Sequence, residues 1–66
     1  MDKKMRGQVV EALPSLKFRV ELSDGKILFC YLAGRLHKNF IRILVGDAVE
    51  VFVPAQGSIG RITRRF

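Results

Sequence analysis

The sequence predicts an all-β protein, a small five-stranded Greek-key barrel with one short helical or irregular insertion between the third and fourth strands. Three observations predict it. The 66 residues fit one small domain, and the apolar side chains are chiefly Val, Ile, Leu and Phe, which suit pleated, half-buried surfaces. Short apolar segments alternate with turn signals, which is typical of barrels and sandwiches. Only residues 34–47 resemble neither a strand nor a tight turn.

Each expected strand lies between turn signals. Residues 1–5 are polar and are expected to form a flexible N-terminus, with a single domain over residues 6–66. The second strand has the clearest pattern, since apolar and charged residues alternate and give it one apolar face. Its apolar members are Leu16, Phe18, Val20 and Leu22. The third strand is continuously apolar, which predicts burial on more than one side. The expected strands cover residues 6–13, 16–22, 26–32, 48–53 and 59–64.

Proline and glycine mark the connections. Pro14 presets φ for a turn between the first two strands. Gly25 is expected to take a positive φ in a hairpin between the second and third strands. Gly46 marks the turn into the fourth strand, and Pro54 ends that strand. Gly7 is expected to allow the first strand to bend, as closed sheets require.

The segment from residue 34 to residue 47, called the insertion from here on, separates the third strand from the fourth. A short helical turn over residues 36–40 is expected, in which Leu36 and Phe40 share one face. Leu36, Phe40, Ile41 and Ile43 are expected to fasten the insertion to the barrel. Its position after the third strand favours an oligonucleotide-binding (OB) fold, while an SH3-like barrel is the main alternative.

Positive charge is concentrated in two parts of the chain. The net charge is +6 and the pI is about 10.3. Residues 25–46 carry four cations and no acid, and residues 51–66 carry three arginines and no acid. A surface that only confers solubility mixes both signs, so this segregation favours a nucleic-acid partner.

Catalysis and membrane insertion find little support in the sequence. The chain has one histidine and one cysteine, so it offers no disulfide, no clustered metal ligands and no expected cofactor. Asp24 and Asp47 stand beside glycine, where aspartate typically accepts hydrogen bonds from backbone N–H groups. Cys30 lies in an apolar run and is expected to be a buried thiol. A barrel of 66 residues offers no recognisable set of nucleophile, base and shaped pocket, so we expect no enzyme. No apolar run is long enough to span a membrane, and the start lacks a signal peptide's apolar core, so we expect a protein of the cytoplasm or of a bacterium-derived organelle.

Binding RNA requires cations for phosphates and flat groups for unpaired bases. His37 is either a stacking or donating group or simply an exposed polar residue. Phe29 and Tyr31 lie on a strand whose orientation the sequence leaves open. The candidate RNA-binding residues are Arg35, His37, Lys38 and Arg42 in the insertion, and Arg61, Arg64 and Arg65 in residues 51–66, called the tail from here on.

The insertion reads GRLHKNFIRILVGD from Gly34 to Asp47, and it resembles the most distinctive segment of bacterial-type (bacterial and plastid) translation initiation factor one. Further matches are Leu13-Pro14, residues 18–22, Asp24-Gly25 and residues 60–62, so the resemblance covers nearly the whole chain. It implies an OB-fold protein that binds the small ribosomal subunit at the aminoacyl-tRNA site. The implied partners are 16S-type ribosomal RNA, a neighbouring ribosomal protein, and initiation factors two and three.

The chain departs from the family pattern at several positions. His37 stands where the family commonly has arginine, Phe40 replaces a tyrosine, and Arg64 replaces an aromatic residue. Ala55 and Gln56 replace a usual Tyr-Asp pair. Two other functions remain open from the residues themselves, a general single-strand RNA chaperone of the cold-shock type and a protein-interaction barrel with incidental charge.

Overall fold

The computed structural model describes residues 3–34, 36, 42–55 and 58–66, and within them the chain forms a closed barrel of five strands. The strand order around the barrel is β1-β2-β3-β5-β4, and β4 pairs again with β1. β3 and β5 run parallel, whereas the other four pairings are antiparallel. This is the predicted five-stranded Greek-key barrel. Its strands are β1 (Lys3–Leu13), β2 (Lys17–Leu22), β3 (Ile27–Leu32), β4 (Ala48–Val53) and β5 (Ile59–Arg65).

The core is built from alternate residues of every strand. Because successive side chains of a strand point to opposite faces, one face of each strand points into the closed barrel. Phe18, Val20 and Leu22 of β2 are buried, as the alternation predicts. Two insertion residues, Leu36 and Ile43, complete the same cluster. The other buried members are Val9, Cys30, Leu32, Val49, Val51 and Ile62.

Three details of the predicted strands are corrected. β1 starts at Lys3 rather than at residue 6, because its first residues pair with the end of β4. Leu16 does not belong to β2, since it has a φ of 56° in the preceding turn and its side chain is exposed. β3 is not buried on two sides, because its alternate residues Phe29 and Tyr31 are exposed on the outside of the barrel.

The predicted connections are present. Residues 14–16 form the turn between β1 and β2, and Gly25 has a φ of 90° in the next hairpin. The backbone N–H of Lys26 donates to Asp24 Oδ1 over 3.0 Å, which is the predicted role of that aspartate. The expected helical turn over residues 36–40 lies, apart from Leu36, outside the described residues.

Two glycines sit where another backbone or a core side chain leaves no space. An added Cβ at Gly7 would stand 2.8 Å from the carbonyl oxygen of Glu21 on β2. At Gly60 it would stand 2.6 Å from Leu28 Cδ2 and 2.8 Å from Val51 Cγ1. Gly7 thus allows β2 to approach β1 closely, and Gly60 allows β5 to approach the core closely.

Cys30 is fully buried, as expected, and its Sγ donates to the carbonyl of Leu28 over 3.5 Å. Burial raises the pKa of the Cys30 thiol from 9.0 to about 11, and a backbone hydrogen bond from Gly60 opposes that rise. The folded state therefore favours the protonated thiol. The stability contributed by this preference is complete below pH 9 and is lost as the pH rises towards 11.

We expect iodoacetamide to alkylate Cys30 at pH 8 more than about a hundredfold more slowly in the folded protein than in denaturant. The reason is that the thiolate is the nucleophile, and both its population and its exposure are small in the fold. Mass spectrometry of quenched time points measures both rates. Equal rates would mean that the thiol is accessible in the folded state.

Within residues 3–34, 36, 42–55 and 58–66, the structure contains no helix with the length and apolar character needed to cross a membrane.

Candidate nucleic-acid interface

Four of the seven predicted RNA-binding residues lie in the described part of the chain, and all four are exposed. They are Arg42, Arg61, Arg64 and Arg65. The other three, Arg35, His37 and Lys38, lie outside the described residues, as do Phe40 and Ile41.

Both ends of the insertion are fixed to the barrel. At its start, the N–H of Leu36 donates to the carbonyl of Ala33 over 3.0 Å, and the Leu36 side chain is buried in the core. At its end, Ile43 is also buried. The predicted fastening role of Leu36 and Ile43 is therefore confirmed. The cations of the insertion accordingly belong to a segment that is anchored to the core on both sides.

Asp47 organises the turn that leads from the insertion into β4. Its Oδ2 accepts from the N–H of Leu44 over 2.8 Å, and its own N–H donates to the Leu44 carbonyl over 3.0 Å. The turn is tied to β1, because the Gly46 N–H donates to the Val9 carbonyl and the Val9 N–H donates to the Asp47 carbonyl. The prediction that the Asp47 carboxylate accepts a hydrogen bond from a backbone N–H group is confirmed.

Arg65 brings the tail and the insertion together. Its Nη1 donates to the backbone carbonyl of Arg42 over 2.7 Å, although the two residues are 23 positions apart. Two cations predicted from separate parts of the sequence therefore lie next to each other. Part of the hydrogen-bonding capacity of Arg65 is used within the protein, and its side chain is otherwise exposed.

Arg64 lies in a second cluster, on the outer face of β1, β4 and β5. In the sheet, Arg6 lies opposite Glu50 on the neighbouring strand, and Glu50 lies opposite Arg64, so the three side chains share one face. The Cζ atom of Arg6 is 4.3 Å from the centroid of the Phe66 ring, and that of Arg64 is 6.0 Å from it. The two arginines therefore flank one aromatic ring, within the range of cation–π attraction.

Arg61 stands over a second aromatic ring. Its Cζ is 5.4 Å from the centroid of the Phe52 ring. Both residues line a hollow of about 470 Å³ that also contains Lys4, at the foot of the insertion. The hollow is completed by Ala33, Gly34 and Thr63.

Lys4 and Arg6 were not among the predicted site residues. Lys4 lies opposite Phe52 in the register of β1 against β4, and Arg6 contacts the Phe66 ring. These residues are about 48 and 60 positions apart in the sequence, and the closed sheet brings them together. The sequence does carry one signal for them, because both are cations near the polar start of the chain.

The arginines of this interface are electrostatically available. Among the described residues, the ion pair is between Arg19 Nε and Glu11 Oε1 at 3.0 Å, on the β1–β2 surface. No described carboxylate forms an ion pair with Arg42, Arg61 or Arg64. Exposed guanidinium groups without a carboxylate partner can neutralise phosphates and release their counterions.

Comparison with known proteins places the chain among translation factors. The family model described as translation initiation factor 1A / IF-1 matches residues 1–66. The solution structure of translation initiation factor one from the Wolbachia endosymbiont strain TRS of Brugia malayi is 32% identical, with a TM-score of 0.79, and the match covers 98% of this chain and 78% of that one. The crystal structure of YjeQ from Thermotoga maritima is 31% identical, with a TM-score of 0.80, and the match covers 97% of this chain but only 23% of YjeQ.

Proposed function

Because the chain belongs to the family of translation initiation factors 1A and one, we propose that it binds the small ribosomal subunit at the aminoacyl-tRNA site. There it contacts 16S-type ribosomal RNA and a neighbouring ribosomal protein. It acts with initiation factors two and three in assembling the initiation complex. The protein works in the cytoplasm as a monomer, and it acts by binding alone, without catalysis or a cofactor.

The observation that carries this proposal is the cationic surface at the end of the insertion. Arg42 and Arg65 are in direct contact, both are exposed, and no described carboxylate forms an ion pair with them. Arg61 and Arg64 add two further charges along the same strand, β5. Such a surface suits folded RNA, whose closely spaced phosphates are recognised by charge and shape.

The residues have different roles in this proposal. Arg35, Lys38 and Arg42 neutralise phosphates from the insertion, and His37 adds a ring that stacks or donates. In the tail, Arg61 and Arg64 contact RNA next to aromatic rings, where a guanidinium plane and a ring together suit an unpaired base. Arg65 both contacts RNA and holds the end of the insertion through the Arg42 carbonyl.

Co-sedimentation with purified small subunits over a range of salt concentrations tests the proposal. Neutralising about five phosphates predicts a log–log slope of affinity against salt of roughly −3 to −5. A flat response would favour a protein partner instead, and no binding at low salt would contradict the proposal. Chemical footprinting of the ribosomal RNA locates the site, and protection away from the aminoacyl-tRNA site would contradict the specific location.

A further inference from the structure

Four exposed apolar or aromatic side chains lie together on the outside of β3 and β5. Ile27, Phe29 and Tyr31 alternate along β3 and therefore point to the same outer face, and Ile59 of β5 lies directly opposite Phe29. Their exposed fractions, in that order, are 60%, 37%, 40% and 50%. We call this group the apolar patch. The core cluster contains none of the four, so packing of the core does not require these positions to be apolar.

The size of the apolar patch suits a small contact. Its four side chains expose roughly 400 Å², which matches the largest apolar patch of a typical monomer, a feature that is often functional. A stable protein–protein contact buries about 800 Å² on each partner. The net charge of +6 also repels a second copy of the chain. The patch therefore fits a short segment of another protein better than it fits self-association.

The charges around the apolar patch differ between its two ends. At one end, Lys17 of β2 and Arg61 of β5 both lie opposite Tyr31. Neither cation forms an ion pair with a carboxylate of the described residues. At the other end, Glu21 of β2 lies opposite Ile27. A segment that lies along the patch therefore meets two available cations at the Tyr31 end and an acid at the Ile27 end.

The middle of the apolar patch carries no available charge. Arg19 lies opposite Phe29, but its Nε is paired with Glu11 Oε1 at 3.0 Å. In the adjoining hairpin, Lys26 and Asp24 are both exposed and add one charge of each sign. A nucleic-acid strand needs cations along its whole path. A protein segment with an apolar part and an acidic end matches this distribution more closely.

We propose that the apolar patch is a docking surface for an extended protein segment with alternating large apolar side chains followed by carboxylates. The apolar side chains pack on Ile27, Phe29 and Ile59, and the carboxylates meet Lys17 and Arg61. In an extended segment, the side chains of one face repeat about every 6.8 Å, as do those of the patch along β3. The inference goes beyond the proposed function, because this contact requires no ribosomal RNA.

Binding of a fluorescein-labelled decapeptide, followed by fluorescence anisotropy at low salt, tests the proposal. The peptide has three leucines that alternate with three threonines, then a serine and three glutamates. We expect it to bind the unaltered protein. A second peptide, with lysines in place of the glutamates, is expected to bind at least about tenfold more weakly, because the cations at the Tyr31 end repel it.

Ile59→Thr is expected to weaken binding of the glutamate peptide about fivefold, because it removes apolar area from the contact. The matched control is Val10→Thr. It alters a β-branched side chain that is exposed by 39% on β1, outside the patch, and should change affinity less than about 1.5-fold. Threonine suits both positions because it favours strands. Thermal unfolding followed by circular dichroism checks that both variants are folded.

A charge arm keeps the proposal testable even if Ile59→Thr does not fold. Lys17→Gln is expected to weaken binding of the glutamate peptide about threefold and to make it less sensitive to salt, because one of the two cations at the Tyr31 end is lost. Lys3→Gln removes an exposed cation from the start of β1, outside the patch, and should leave the affinity unchanged.

Three results would overturn the proposal: no binding of the glutamate peptide up to about 1 mM, equal weakening by Ile59→Thr and Val10→Thr, or equal affinity for the two peptides. Two further results would assign the patch to another occupant and overturn it as well. One is a dimer in analytical ultracentrifugation that Ile59→Thr abolishes, which would indicate a second copy. The other is binding of octauridine that Ile59→Thr weakens as much as it weakens peptide binding, which would indicate RNA.

Co-sedimentation with small ribosomal subunits separates this proposal from the proposed function. Ile59→Thr is expected to retain subunit binding while it loses affinity for the peptide. If the unaltered protein binds the peptide but not the subunit, the patch is retained and the proposed function is contradicted, and the reverse result would do the opposite. Loss of both by Ile59→Thr would mean that the patch belongs to the ribosomal site, and it would overturn the inference of a separate surface.

Discussion

Gly60→Ala is expected to lower the free energy of unfolding by about 2–3 kcal/mol, the upper part of the range of about 1–3 kcal/mol that is usual when a carbon is forced into a filled core. The new Cβ would stand 2.6 Å from Leu28 Cδ2, 2.8 Å from Val51 Cγ1 and 3.2 Å from Cys30 Sγ. Val51 and Cys30 are fully buried, so neither can move far. A domain of this size has a total stability of about 3–10 kcal/mol. The substitution therefore removes a large share of it.

Thermal unfolding measures this effect, and a fall in melting temperature of roughly 10–20 °C is expected. Gly34→Ala is the matched control, because nothing lies within 4 Å of a Cβ added there, and it should change stability by less than about 0.5 kcal/mol. Adding Leu28→Ala to Gly60→Ala removes the nearest atom, so the double variant should lose less stability than the two single losses together. An unchanged melting temperature in Gly60→Ala would mean that β5 can move away from the core.

The alternation of apolar and charged residues predicted β2 well, and its failure at Leu16 has a local cause. Phe18, Val20 and Leu22 are buried as expected. Leu16 has the right spacing for the same face, but the chain turns through left-handed conformations at Ser15 and Leu16, with φ values of 63° and 56°. A periodic pattern does not reveal where a turn ends and a strand begins.

β3 shows that a continuous apolar run does not by itself predict burial on both faces of a strand. Its continuous apolar run predicted burial on both sides, whereas Phe29 and Tyr31 face outwards. A closed barrel has one interior, so half of each strand must face away from it. Apolar residues are common on protein surfaces, and an apolar side chain alone does not indicate burial.

The parts of the candidate site that depend on non-local register could not be predicted. Charge segregation and the family resemblance singled out Arg42 and Arg65 separately, but the 2.7 Å contact between them depends on how the tail meets the insertion.

The register shift at Thr63 is a second feature that the sequence does not predict. β5 shifts register against β4 next to this residue, and the Thr63 hydroxyl donates to Glu50 Oε1 over 3.1 Å. Such a bulge changes which face the following arginines occupy, and nothing local in the sequence indicates it.

Replacing Arg35, Lys38 and Arg42 together with alanine is expected to weaken binding to small ribosomal subunits about a thousandfold while the barrel stays folded. Each charged hydrogen bond to a phosphate contributes roughly 1.5 kcal/mol, and three such losses give this factor. The fold should persist because the insertion is anchored by Leu36 and Ile43, which the variant retains in the core. The Arg42 substitution also preserves the backbone carbonyl that Arg65 contacts.

Co-sedimentation measures the affinity, and the magnitude of the salt slope should fall by about 2.7, or about 0.9 for each lost phosphate contact. A triple alanine variant at Lys3, Arg19 and Lys26 is the matched control, because it removes the same charge from exposed positions outside the insertion and the tail. Equal weakening by both variants would mean that net charge alone drives binding. Full affinity in the insertion variant would contradict the assignment of these three cations to RNA. Only a loss confined to the insertion variant, with unchanged thermal unfolding, separates a defined contact with RNA from general attraction to it.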